Sequence, residues 1–168
     1  MNGGEGMDLL ASIAEISVAF AGFAGIITAL SGRRFGELGR GNLTRFRLMI
    51  YSSLSATFMA LMPYAFLYNS SSPNWSVCIL LLMIYLVGFL SLLIRVFIRQ
   101  VAQGSLNGYV AFSVASLGVI TTLIQLASLV GLAEPDLGIY LLGIYYLLVQ
   151  SGVSFVRLIT ASVSAGEG

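Results

Sequence analysis

Five stretches of about 20 apolar residues constrain this chain more than any other feature of its sequence. A helix needs about 20 such residues to cross the bilayer core, because it rises only ~1.5 Å per residue. We therefore predict an all-α, polytopic transmembrane helical bundle with five spans, at residues 9–30, 46–68, 75–97, 109–132 and 137–158. In this prediction residues 1–8 form a short outer tail, residues 9–161 the transmembrane domain, and residues 162–168 a flexible cytoplasmic tail.

The composition agrees with a membrane protein and excludes several chemistries. Only 9% of the residues are charged, against about 25% in soluble domains, so a soluble fold could not cover its surface. The chain has no Lys, no His and a single cysteine, Cys78. Schiff-base cofactors, His-ligated haem or metal, iron–sulfur clusters and Ser-His-Asp catalysis are thereby excluded. We expect no cofactor and no metal site.

The predicted connections contain residues that favour helix ends. Between the second and third spans, Ser72 is placed to cap the next helix and Pro73 to occupy its first turn. Glu134-Pro135-Asp136 is expected to act in the same way between the last two spans.

The Arg residues predict the orientation in the membrane. Positive residues favour the cytoplasmic side of short loops. With five spans, all eight lie on one side: Arg33, Arg34, Arg40, Arg45, Arg47, Arg95, Arg99 and Arg157. The acids Glu5, Asp8, Glu134 and Asp136 fall on the other side. We predict that the N-terminus lies outside and the C-terminus in the cytoplasm.

The first predicted helix is unusually rich in small residues. Of the 22 positions 11–32, 13 are Ala, Gly, Ser or Thr. One face carries a small residue at every fourth position, at Ser17, Ala21, Gly25 and Ala29. Small residues let helix backbones approach closely in lipid, where the hydrophobic effect does not drive association. This pattern favours a central position in a homo-oligomer; the alternative is a glycine-rich helix packed inside a monomeric bundle.

Glu15 is an acid six residues inside the first predicted span, ~9 Å from its outer end. Intramembrane acids are costly and mark candidate functional sites. Helical spacing places Glu15 on one face with Ser12, Ala19, Gly22 and Ile26. Copies of this helix around an axis would form an acidic ring, as in cation pores. The alternative is a protonated Glu15 that is hydrogen-bonded to a neighbour, for which Gln125 and Tyr145 lie at similar depth.

Two further polar features have alternative interpretations. Gln150, deep in the fifth span, either joins helices by hydrogen bonds or lines a permeation path. The side chains of Arg33, Arg34 and Arg40 either hold anionic lipid head groups or act only as orientation signals. The same loop matches no phosphate-binding motif, and we expect no nucleic-acid partner.

Part of the chain is similar to a known group of proteins. The run AEISVAFAGFAGII at positions 14–27, followed by Gly32-Arg33-Arg34, resembles a pattern in small bacterial membrane proteins of unassigned function. Arg45-Phe46-Arg47-Leu48 and Leu61-Met62-Pro63 also look similar, so the resemblance covers roughly the first 65 residues. It implies a multi-pass protein of the bacterial inner membrane and supplies no activity.

These features lead to three functional hypotheses. The first is a homo-oligomeric channel or pore-forming protein, with the first helix near the axis and Glu15 as a selectivity or gating residue. The second is a non-catalytic subunit that docks on a partner membrane protein. The third, an intramembrane lipid enzyme that uses Glu15 with Glu134 or Asp136, is disfavoured because both loop acids lie beyond the predicted span boundary. We expect no enzyme activity, and expect the partners to be the lipid bilayer and further copies of the chain.

Overall fold

The computed structural model describes residues 3–30, 40–67, 74–102 and 108–164. The described residues form five α-helices, which are α1 Gly3–Leu30, α2 Arg40–Leu67, α3 Trp75–Ala102, α4 Gly108–Leu129 and α5 Leu137–Ser164. Each contains a window that is long and apolar enough to cross a membrane. The predicted all-α architecture with five such helices is confirmed.

Most helices extend beyond the predicted apolar spans. Helices α1 and α2 begin six residues earlier than predicted, while α3 and α5 end later. A helix satisfies its backbone hydrogen bonds internally, so it can continue into water where its side chains become polar. Hydropathy thus locates the apolar part of each helix and not its ends. Helix α2 also continues through Pro63.

Helix α4 is the exception, because it ends at Leu129 and not at the predicted residue 132. Gly131 has a φ of 86°. Its N–H donates to the Ser128 carbonyl at 3.1 Å, and the Leu132 N–H donates to the Ala127 carbonyl at 3.0 Å. This pair of bonds is the Schellman arrangement, which closes a helix through a left-handed residue. Gly131 therefore ends α4 inside an apolar run of the sequence.

Side-chain caps begin the two helices whose starts were predicted from turn residues. Asn74 precedes α3, and its Oδ1 accepts from the Val77 N–H at 3.4 Å. The capping position is thus Asn74, and not Ser72 as predicted; Ser72 and Pro73 lie outside the described residues. Asp136 caps α5, with its Oδ1 2.9 Å from the Ile139 nitrogen. Pro135 precedes this cap and does not occupy the first turn.

Substitution of Gly131 with alanine is expected to lower the free energy of unfolding by about 1–2 kcal/mol, because a Cβ atom strains the left-handed conformation. Thermal unfolding in mild detergent would measure the loss. Gly152→Ala is the matched control, since nothing lies within 4 Å of a Cβ at that position inside α5. Equal stability of the two variants would contradict the assignment of Gly131 as the helix-ending residue.

The chain divides into two compact units. The first comprises Met1–Leu61 and Leu147–Gly168, and so contains α1, most of α2 and all of α5 after its first ten residues. Its apolar cluster joins Phe46 and Met49 of α2 to Leu158 of α5, with Ile50 and Phe155 packed against it. The second unit, Met62–Tyr146, contains the end of α2, all of α3 and α4, and the first ten residues of α5. Within it, α3 packs along α4, and the rings of Trp75 and Tyr140 meet with centroids 5.9 Å apart.

Candidate functional site

One side of α1 is buried. Its buried positions are Gly6, Leu10, Ile13, Ala14 and Ser17, and their spacing places them on one face of the helix. The Phe20 ring continues this side and meets the Phe155 ring of α5 edge to face, at a centroid distance of 6.1 Å. The packed residues of α1 therefore form one face of the helix.

The opposite side of α1 is exposed and carries Glu15. The residues predicted to share its face, which are Ser12, Ala19, Gly22 and Ile26, are all exposed as well. Of the apolar window Glu5–Phe23, 28% is buried, the same share as in the α4 window Phe112–Leu129. The chain itself thus leaves the whole acidic face of α1 uncovered among the described residues.

Glu15 has no partner in the described part of the chain, because no hydrogen bond or ion pair there involves its carboxyl group. The Ser12 hydroxyl cannot donate to it without leaving the Asp8 carbonyl, to which it donates at 3.0 Å. The alternative of a Glu15 held by an intramolecular hydrogen bond therefore gains no support from these residues.

Glu15 lies inside the window Glu5–Phe23 of α1, which is long and apolar enough to cross a membrane. Ten residues at ~1.5 Å each separate Glu15 from the start of that window, a distance of ~15 Å along the helix axis. A charged acid facing lipid at the helix centre costs about 3 kcal/mol on insertion scales. Cover by protein or water would remove this cost if α1 crosses a membrane.

The small-residue series on α1 faces more than one environment. Ser17 is buried, and its hydroxyl donates to the Ile13 carbonyl at 2.7 Å. Ala21 is half-buried, whereas Gly25 is exposed with nothing within 4 Å of a Cβ at its position. The side chain of Ala29 lies outside the described residues. The exposed part of the series, at Gly25, leaves room for another helix.

Gln125 of α4 lies inside the second unit. It is completely buried, and its Nε2 and Oε1 have no hydrogen-bond partner among the described residues. A Cβ at Gly143 of α5 would overlap the Gln125 Nε2 and lie 2.6 Å from Leu82 Cδ2. Gln125 therefore fills the space that Gly143 leaves between two helices.

Gln150 of α5 has a partner in its own helix. Its Nε2 donates to the Ser154 hydroxyl at 3.4 Å, one turn further along α5. In the first unit, other residues hydrogen-bond α2 to α5: the Ser53 and Ser151 hydroxyls lie 2.5 Å apart, and Ser151 also donates to the Met49 carbonyl at 3.4 Å. Sequence reasoning missed this serine pair. The one signal for it was the presence of a serine within each of two apolar runs.

The remaining predicted residues contribute little to a site. Arg33 and Arg34 lie outside the described residues, and Arg40 begins α2 with its side chain undescribed. Tyr145 is exposed. Among the described residues no group of three or more His, Cys, Asp or Glu could hold a metal ion. Comparison with protein-family models, curated proteins and solved structures finds no match.

Proposed function

We propose that this protein assembles into a homo-oligomeric membrane channel, in which α1 of each copy lies near a common axis and Glu15 is an acidic pore or gating residue. One observation carries the proposal: Glu15 is exposed on the unpacked face of a helix that is long and apolar enough to cross a membrane. Assembly around an axis would replace hydrocarbon beside this carboxylate with protein and water, removing its cost in lipid.

The other residues of the face suit such an assembly. Ala19 and Gly22 are exposed and follow Glu15 one and two turns along the helix. Nothing lies within 4 Å of a Cβ at Gly22, so neighbouring backbones could approach closely there. A ring of carboxylates above a narrow lining of small residues would attract cations and repel anions.

The same exposed face supports a second candidate function, a non-catalytic subunit that docks on another membrane protein. A foreign helix with an Arg at the depth of Glu15 would cover the carboxylate equally well. The two functions differ in the composition of the purified complex. Copies of one chain favour the channel, and a stoichiometric second protein favours the docking subunit.

Ion flux across the membrane of liposomes that contain the purified protein tests the channel proposal. The wild type should pass cations in preference to anions. Glu15→Gln should reduce this preference by at least about tenfold, equal to ~1.4 kcal/mol in the relative free energy of ion entry. Glu134→Gln is the matched control, because Glu134 is an exposed acid in the connection between α4 and α5 and should leave selectivity unchanged.

Two outcomes would defeat the channel proposal. Liposomes without flux, or equal selectivity of the wild type and Glu15→Gln, would remove the role of the carboxylate. Native mass spectrometry in mild detergent should give a single-chain oligomer; a monomer would leave no axis for α1 to surround.

A further inference from the structure

An apolar groove runs along the outside of the second unit between α3 and α4. Its volume is about 310 Å³. Leu90 forms its buried floor. The walls are Val87, Ser91 and Ile94 of α3, with Val119, Thr122 and Leu123 of α4. The walls span ~10 Å along α3, and all of these residues lie inside the windows Trp75–Arg95 and Phe112–Leu129 that could cross a membrane.

The two hydroxyl groups in the groove do not make it polar. Ser91 donates to the Gly88 carbonyl at 2.7 Å, and Thr122 donates to the Gly118 carbonyl at 2.9 Å. Both donors are therefore used within their own helices. An ordered water needs two to four polar partners, and the only polar side chains that line the groove are those of Ser91 and Thr122. Its chemistry suits a hydrocarbon chain.

A positive charge lies where the groove approaches the end of the apolar window of α3. Arg95 is exposed and is the last residue of that window, so in a membrane-spanning α3 it would lie near the level of the lipid head groups. It follows Ser91 by one helical turn, so the two share a face, and its Cα–Cβ bond tilts towards the turn that contains Ser91. No acidic side chain among the described residues forms an ion pair with Arg95. Its guanidinium can therefore donate two hydrogen bonds to a phosphate.

We propose that the α3–α4 groove and Arg95 form a binding site for one anionic glycerophospholipid, with an acyl chain along Leu90 and Val119 and the phosphate on Arg95. The site depends on no pore and is independent of the proposed channel. The groove alone would accept the chain of any lipid. Arg95 adds the preference for a net negative head group, since one basic residue near a membrane surface contributes about a fivefold increase in affinity.

The test titrates the purified full chain in mild detergent with dioleoyl phosphatidylglycerol or dioleoyl phosphatidylcholine, and counts bound lipids by native mass spectrometry. These lipids share their acyl chains and differ in net head-group charge. The wild type should prefer phosphatidylglycerol for the first bound lipid by about fivefold. Arg95→Gln should abolish this preference while phosphatidylcholine binding stays unchanged, and Arg95→Lys should retain most of it.

Two further variants separate the groove from the charge. Arg47→Gln removes another exposed arginine, on α2, and should leave the preference intact. Val119→Phe narrows the groove and should weaken the binding of both lipids by a similar factor. Glycerol 3-phosphate, which has no acyl chain, should displace neither lipid.

Three results would overturn the proposal. The first is an Arg95→Gln variant that keeps the preference for phosphatidylglycerol, or an Arg47→Gln variant that loses it equally. The second is displacement of the bound lipid by glycerol 3-phosphate. The third is a Val119→Phe variant that binds both lipids normally but changes its oligomeric state, because the groove would then be a contact between copies.

Discussion

Replacing Gly143 with alanine is expected to lower the free energy of unfolding by about 1–3 kcal/mol, the usual cost of overpacking a filled interior. A Cβ at this position would overlap the Gln125 Nε2 and lie 2.6 Å from Leu82 Cδ2. Both neighbours are completely buried, so neither can move aside without displacing others. Thermal unfolding in mild detergent, followed by Trp75 fluorescence, would measure the loss, because the Trp75 ring packs 5.9 Å from that of Tyr140.

The matched control is Gly152→Ala in the same helix, where a Cβ meets nothing within 4 Å. It should be neutral or slightly stabilising, since alanine is the better helix former. A second substitution tests the cause. In a Gln125→Ala background the amide is absent, so Gly143→Ala should cost clearly less than in the wild type. An unchanged cost would show that the contact with Gln125 is not responsible.

Replacing Gly118 with alanine should produce a loss of similar size, about 1–3 kcal/mol. The Cβ would lie 2.5 Å from Cζ of Tyr146 and 2.9 Å from Cδ1 of Leu90. The Tyr146 ring is buried, and its hydroxyl end fills the position against α4 that the glycine leaves open. The same measurement of Trp75 fluorescence applies, because Gly118 and Trp75 lie in one unit.

Gly88→Ala is the control for this substitution, because Gly88 lies on α3 with nothing within 4 Å of a Cβ. It should unfold at the wild-type temperature or slightly above. The Tyr146→Leu variant shortens the side chain, and Gly118→Ala added to it should cost less than in the wild type. An equal loss of free energy of unfolding in the wild type and in Tyr146→Leu would show that the close approach of Tyr146 is not the reason that position 118 is glycine.

Gly118 and Gly143 differ in their surroundings from the glycines on the exposed side of α1. Gly118 and Gly143 each receive a large side chain of the same unit. Gly22 and Gly25 of α1 receive nothing within 4 Å. Small residues in a membrane helix mark close approach, so the unoccupied pair on α1 accords with the proposed contact between copies. The occupied pair needs no second chain.

The sequence alone determined the number and class of the helices. A run of about 20 apolar residues predicts a spanning helix from local composition, because the bilayer thickness sets its length. It also placed Glu15, Ser12, Ala19 and Gly22 on one face, since helical spacing is a local property. Helix ends were predicted less well: α4 ended early at the turn of Gly131, whereas internally bonded helices continued past their apolar windows.

Only the tertiary structure decided which sides of those helices are covered. In lipid both the packed and the exposed faces of a helix are apolar, so hydropathy does not separate them. The sequence therefore could not show that Ala14 is buried while Glu15 is exposed, or that Gln125 packs on Gly143. The groove beside Arg95 has the same origin. It is formed by residues of two helices, and neither span by itself predicts that α3 packs against α4.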